Sequence, residues 1–339
     1  MQSSRWSFAL FSLTVAASLS ACGSDGGSDS SSASSSIPAS IAPPASSAPT
    51  TEAATNDGSI VVDDSTGTPI ELAGPAVRVA CLTEPCADAL VELGMVPVAI
   101  SPNGVGALPE FFGDGAADIS TIGGSFFEPS LEDVVASTPD LVIGLEGVHE
   151  SVRESLGDIP LYIVGLETTD EAVEFLRNVG VLTGNGDAAE TAAAAFTTKL
   201  ADAIAAKPDP AISAAVVYTG EYGFNINGAS TSVVANMIGQ LADYPFADED
   251  AASQEGGFGT FSIEQLLEQN PDYIFVSTIA ADGGQGESSA TVMGQDAVWS
   301  KLDAVAAGKV VDVRTPLWQY GRGTHSLGII LDEFLAAVG

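Results

Sequence analysis

The chain has 339 residues, enough for two ordinary domains, and its 45% hydrophobic and 16% charged content is that of a globular protein rather than a disordered one. Ten Lys and Arg stand against 45 Asp and Glu, a formal net charge of −35 whose field repels phosphate backbones and excludes nucleic-acid binding. The acidity favours solubility and names no ligand.

Residues 1–22 read as an export signal. Arg5 supplies the positive start, and Phe8 to Ala21 is an apolar run too short to stay in a membrane. Leu19-Ser20-Ala21-Cys22 resembles the lipobox of bacterial lipoprotein precursors, in which the signal is cut before the Cys and the Cys is acylated. An ordinary secretory signal is the other reading. Residues 23–58 are Ser, Ala, Gly, Pro and Thr with hardly a large apolar side chain, the composition of a tether. Signal, Cys22 and tether together describe a protein lipid-anchored to the outer face of the cell membrane, with no transmembrane helix left after cleavage.

The folded part is expected to start with a small hairpin around Ile60-Val61-Val62, followed by a strand from Val77 to Cys81. Cys81 and Cys86 are the other two cysteines. In an oxidising compartment they close a small disulfide loop; two buried thiols are the alternative. Their spacing is not C-x2-C and no other Cys or His is near in sequence, so no metal site is expected there. A helix from Cys86 to Leu93 and a strand from Val96 to Ile100 complete a parallel unit. A Gly-rich loop follows over 101–125, and later come strands at Leu141 to Ile143 and Leu161 to Val164 and a helix from Asp170 to Thr183. After Gly184-Asn185-Gly186, Asp187 to Lys207 reads as an Ala-dominated helix, a rod of roughly 30 Å. The expected division is an N-terminal α/β lobe at 59–186, a linking helix at 187–207 and a C-terminal α/β lobe at 208–339. The second lobe starts with a strand from Ala214 to Tyr218 and a helix from Ser232 to Leu241. It ends with a helix from Ser326 to Ala337.

Each lobe carries one copy of the same block. Ser130-Leu131-Glu132-Asp133 running to Pro139-Asp140-Leu141-Val142-Ile143 is matched by Ser262-Ile263-Glu264-Gln265 running to Pro271-Asp272-Tyr273-Ile274-Phe275, without a gap. Each reads as a Ser-capped short helix, a Pro-Asp turn and a buried strand. Ser262 with Gln265 is a capping box, and Ser130 with Asp133 a weaker one.

These twin blocks, with Ala87-Asp88-Ala89-Leu90-Val91-Glu92-Leu93-Gly94 and the tail Trp299-Ser300 to Gly308-Lys309-Val310-Val311, resemble the class III periplasmic-binding proteins of ABC importers, the iron-siderophore and vitamin B12 type. The resemblance covers residue 75 to the end. It implies two Rossmann-like α/β lobes joined by one long rigid helix, with a ligand cleft between them that closes only slightly. It also implies a monomer that captures an iron(III)-siderophore complex and hands it to an importer's transmembrane permease, holding no cofactor of its own. Cobalamin or haem as cargo, or a surface adhesion lipoprotein, are the alternatives. In this family a Glu on each lobe docks onto the permease, and the matched positions here are Glu132 and Glu264. Their place in a helix first turn also has a purely structural reason, the helix dipole.

Ligands of open α/β sheets lie beyond the C-terminal strand ends. There the sequence places Trp318, Tyr320 and Arg322, then Arg153, Tyr222, Phe127 and Phe258, as ligand-binding candidates. Aromatic walls and a forked guanidinium suit a bulky chelate rich in oxygen. Each has a plainer reading as well: Phe126 or Phe127 as core, Trp318 and Tyr320 as a half-buried strand end, Arg322 as the partner of a carboxylate. His149 and His325, one per lobe, would have to meet across the cleft to hold a metal; surface or core positions are the default. No nucleophile elbow surrounds Ser326 and no nucleotide-binding Gly motif is present, so enzymatic activity is not expected.

Overall fold

The apolar runs of the two halves become two separate, largely parallel sheets. The computed structural model describes residues 58–102, 104–221, 223–246, 252–253 and 259–339. Strands β1 (Ile60–Asp63) and β2 (Pro69–Leu72) form the antiparallel leading hairpin. There follow β3 (Val79–Cys81), α1 (Glu84–Glu92), β4 (Ala99–Ile100), α2 (Pro109–Phe112), β5 (Ser120–Thr121), α3 (Leu131–Ala136), β6 (Leu141–Leu145) and β7 (Leu161–Val164). The five strands β5-β4-β3-β6-β7 are parallel throughout. Every residue of β3, β6 and β7 is buried, which is why these strands read as continuous apolar runs rather than alternating ones.

Helix α4 (Thr169–Leu182) starts in a full Thr168–Glu171 capping box. The Ala-rich segment is α5 (Gly186–Ala205), which connects the two sheets. It buries Ala189, Ala193, Phe196, Leu200 and Ala203 along one stripe, and Gly180 of α4 lets Ala189 approach where a Cβ would collide.

The second half holds β8 (Ala214–Gly220), β9 (Asn225–Ile226), α6 (Val233–Leu241), β10 (Ala252–Ser253), β11 (Gly259–Thr260) and α7 (Ile263–Gln269). It continues with β12 (Tyr273–Ile279), α8 (Ser289–Met293), α9 (Asp303–Ala306), β13 (Val310–Asp312) and α10 (Thr324–Val338). Its main sheet has the order β13-β12-β8-β9, with only β9 antiparallel.

Thr83-Glu84-Pro85 opens the first helix as its residue types suggest, with Thr83 at the N-cap and Pro85 in the first turn, where it has no N–H to leave unsatisfied. Other boundaries move for local reasons. The strand expected from Val96 shrinks to Ala99–Ile100, since Pro97 cannot donate to the ladder. Residues 101–125 are not a plain loop; they contain α2, two 3-10 turns and the edge strand β5.

The twin blocks match down to the backbone. Ser262 and Gln265 form the reciprocal capping box. Ser130 accepts from Asp133 N–H, but the Asp133 carboxylate accepts from Gly123 N–H instead of returning to Ser130. Thr138 (φ 50°) and Asn270 (φ 43°) are the only non-glycine residues with left-handed backbone among the described residues, and they occupy the same place in the two copies. Asp140 then accepts from the N–H groups of Val77 and Arg78, both at 2.9 Å, at the entrance to β3. Asp272 does the same for Ser213, through its N–H (2.8 Å) and hydroxyl (3.0 Å), at the entrance to β8. The Pro-Asp turn is therefore more than a helix stop: its carboxylate fixes the register of the neighbouring strand.

One apolar core runs through both lobes. It passes from Leu90 and Leu141 through Phe175 and Phe196 to Val216, Phe275, Leu327 and Phe334 without interruption.

Candidate functional site

Strands β6 and β7 end at a cavity of about 700 Å³. Its floor and one wall come from the N-terminal lobe: Leu145, Tyr162, Leu166 and Phe175, with Phe126 and Phe127 from the loop before α3. Thr231 and Arg322 reach it from the C-terminal lobe. Phe127 is 71% exposed, an aromatic face held in solvent over the cavity. Phe126 meets it edge to face at 5.3 Å and is braced behind by the His149 ring at the same distance.

His149 is fully buried and structural. Its Nδ1 accepts from Leu145 N–H (2.9 Å), so Nε2 carries the proton and donates to the Phe126 carbonyl (2.7 Å). Burial lowers its pKa, which keeps the ring neutral. Gly144 makes this possible, since a Cβ there would come within 2.8 Å of the His149 Cβ. His325 belongs to another cluster, 3.6 Å from Glu92 and edge-on to Phe111. The two histidines do not share a site, and the described residues contain no group of three or more His, Cys, Asp or Glu able to hold a metal.

Arg322 is half-buried and makes no hydrogen bond or ion pair among the described residues. Burial lowers its pKa, while Glu84, at the start of α1, favours its charge. Burial pushes the Glu84 carboxyl up to about 7, with Arg322 pulling the other way. Behind them Asp88, fully buried on α1, accepts from Ser326 N–H (2.6 Å) and hydroxyl (2.9 Å) and so caps α10 from the opposite lobe. Its pKa too is raised by burial. Gly323 leaves room for that carboxylate, where any Cβ would collide with the Asp88 Cβ. Arg314 adds a second link between lobes, pairing with Glu110 of α2 and Glu333 of α10.

Three candidates do not line this cavity. Trp318 is 1% exposed, lies flat on Phe275 at 5.1 Å, and donates Nε1–H to Glu333 (2.7 Å). The segment Pro316–Tyr320 is a π turn rather than a strand end, and it drives the indole into the core. Tyr320 donates its hydroxyl to the Gly283 carbonyl (2.9 Å), tying down the loop after β12, and does not line the cavity. Arg153 pairs with Asp64 at 2.7 Å and donates to the Leu161 carbonyl. Burial opposes the Asp64 charge, but Thr66, Thr68, Arg153 and Ile163 outweigh it and hold the carboxyl below its ordinary pKa. Arg153 thus secures the leading hairpin to β7. Tyr222, Phe258 and Cys22 lie outside the described residues. Cys81 and Cys86 are joined as a disulfide, both buried, with Cα atoms 5.4 Å apart.

Glu132 and Glu264 stand exposed at matching places in the first turns of α3 and α7, without a hydrogen bond or ion pair among the described residues. The carboxylates of the cavity were not foreseen: Asp63, Glu146, Glu167, Glu171 and Glu174 join Asp64 around it. Glu167, just before the N-cap of α4, and Glu171 and Glu174 in its first turns are four and three residues apart, a signal that was legible. Glu146 and the hairpin acids come from separate segments and were not. A smaller hollow of about 430 Å³ at the end of β12 carries Glu221 and Glu287 and no cation.

A family profile described as periplasmic binding protein matches residues 79–317. A Bacillus subtilis (strain 168) protein named as the putative ABC transporter substrate-binding lipoprotein YhfQ is 24% identical over 266 residues, 76% of this chain and 81% of that protein. A cobalamin-binding protein of Halobacterium salinarum is 26% identical over 257 residues, 74% of this chain and 67% of that one. Among solved structures, the petrobactin-binding protein YclQ from Bacillus subtilis superposes with a TM-score of 0.69 at 19% identity, covering 82% of this chain and 98% of its own.

Proposed function

The chain belongs to the periplasmic binding protein family, and on that premise we propose that it is an extracytoplasmic solute-binding protein that captures a ferric siderophore and delivers it to the permease of an ABC importer. The observation that carries the reading is the cavity of about 700 Å³ between the lobes, with the exposed Phe127 on one side and the unpartnered Arg322 on the other. That volume suits a small-molecule ligand, and the guanidinium, which feels the Glu84 charge but makes no hydrogen bond or ion pair among the described residues, is available to an oxygen shell. The iron is cargo, entering and leaving with its chelator; the protein keeps no cofactor, makes no covalent change to the ligand and works as a monomer. Relatives named as a lipoprotein and as an ABC substrate-binding protein support anchoring through Cys22 and a permease partner. Glu132 and Glu264, exposed and uncommitted on opposite lobes, are the docking pair. The cobalamin-binding relative favours cobalamin as the second reading of the same cavity.

Titration of the Cys22→Ser chain with ferric hydroxamate, catecholate and citrate complexes, cobalamin and haem tests this. A ferric siderophore is expected to bind at submicromolar concentration, about −8 kcal/mol or tighter. Saturation by cobalamin alone selects the second reading, and folded protein that binds nothing refutes both. Glu132→Arg with Glu264→Arg is expected to abolish uptake by cells while the ligand affinity stays as it was; a weakened affinity would remove the docking assignment.

A further inference from the structure

Six carboxylates line the cavity between Phe127 and Arg322: Asp63, Asp64, Glu146, Glu167, Glu171 and Glu174. Two are satisfied locally. Asp64 has Arg153, and Glu171 accepts from the N–H groups of Glu167 (2.8 Å) and Thr168 (2.9 Å). Asp63, Glu146, Glu167 and Glu174 are exposed and have no ion pair or side-chain hydrogen bond among the described residues. The chain has few cations with which to answer them. Of its ten Lys and Arg, Arg153 is taken up by Asp64, Arg177, Lys199 and Arg314 are committed to ion pairs elsewhere, and Arg322 is the single cation among the described residues of the lining. Glu146 is crowded already: burial and the charges of Glu150, Glu167, Asp64 and Glu171 all push its pKa up. A further anion brought among these groups is repelled, and a cation is held.

We infer, on the reading above that this cavity takes the ligand, that it selects an iron chelate of zero or positive net charge whose ammonium arm lies against Glu146 and Glu167 while Arg322 faces the oxygens around the metal. Ferric tris-hydroxamates have this chemistry. Three hydroxamate anions cancel the charge of the iron, and a terminal ammonium leaves the complex cationic. A ferric tris-catecholate is a trianion and would bring its charge against four uncompensated carboxylates with one guanidinium to receive it. An Arg-poor, acid-rich lining is the inverse of what such an anion requires.

The test is calorimetric titration of the Cys22→Ser chain, at low and high ionic strength, with three probes. They are ferrioxamine B, a linear ferric tris-hydroxamate with a terminal ammonium; its N-acetylated form, the same chelate without that charge; and a ferric tris-catecholate. Ferrioxamine B is expected to bind roughly tenfold tighter than the acetylated form at low salt, with the preference shrinking as salt rises. Glu146→Gln with Glu167→Gln, which removes two charges at nearly constant volume, is expected to erase the preference by weakening the ammonium form. Equal affinity for the two hydroxamates, or tighter binding of the tris-catecholate, overturns the charge selection and leaves the solute-binding reading in place. If none of the three binds to a chain whose circular dichroism shows it folded, the siderophore reading falls and the charge selection with it.

Discussion

Asp88→Ala removes the acceptor through which one lobe caps a helix of the other. Two donors of Ser326, its N–H at 2.6 Å and its hydroxyl at 2.9 Å, lose their partner in a site with no solvent access. A buried donor left unsatisfied costs about 1–3 kcal/mol, so the pair amounts to about 4 kcal/mol gross. The helix-capping contribution of about 1 kcal/mol is contained in the N–H bond and is not added again. Against this, the carboxylate itself is buried at a cost, as its raised pKa shows, and its removal returns about 3 kcal/mol near neutral pH. The expected net loss is about 1 kcal/mol, read as a lower urea midpoint at unchanged slope by circular dichroism near neutral pH. Asp88→Asn keeps one acceptor and the shape, and is expected to lose about half as much. A change below about 0.5 kcal/mol for Asp88→Ala, the size expected of a surface substitution, would refute the claim that this carboxylate holds α10 to the other lobe.

Three further outcomes are expected. Glu84 has a folded pKa raised from 4.5 to about 7, so its ionisation costs the fold nothing below about pH 4.5, and the penalty grows from there until it levels off above about pH 7. Glu84→Gln should therefore gain stability relative to the parent, by about 3 kcal/mol, between about pH 5 and pH 8 in paired denaturation curves; a constant difference across that window contradicts it. Arg153→Met leaves the buried Asp64 without its cation and should cost about 2 kcal/mol. That is less than the roughly 3–5 kcal/mol of a broken, fully buried pair, because the Arg153 side chain is 33% exposed and water screens the interaction. Lost ligand affinity at an unchanged melting temperature would return Arg153 to the cleft. Replacing both Cys81 and Cys86 with Ala opens a short loop and should cost about 2 kcal/mol in a urea titration, while the native protein, with both sulfurs buried, should resist reductant until it unfolds.

The elements that alternate with one another in sequence were legible because their signals are local. Ser262 and Gln265 lie three residues apart, and a capping box needs nothing further away. The Ala-rich run is helical by intrinsic preference alone, and Gly186–Ala205 is where it falls. The cavity was harder to foresee because its decisive partners are remote. Trp318 looks the same in sequence whether it faces a ligand or Phe275; what decides is a ring 43 positions earlier and a carboxylate 15 positions later. Arg153 and Arg322 are likewise indistinguishable as residue types. One is taken by Asp64, 89 positions away, and the other by nothing among the described residues. The acidic rim escaped for the same reason, being assembled from the leading hairpin, the end of β6 and the start of α4.

The largest apolar core passes through both lobes and couples their unfolding, beside a smaller core on the far face of each sheet. Opening either lobe exposes part of the core it shares with the other, from Leu90 to Phe334. Whatever settles against one wall of the cavity therefore stabilises the whole chain. Ligand at a hundredfold excess over its Kd adds about 2.7 kcal/mol, a rise of roughly 4–5 °C for a chain of this size. Loaded and empty protein are then expected to differ in their resistance to proteolysis in both lobes, including the one that makes fewer contacts with the ligand.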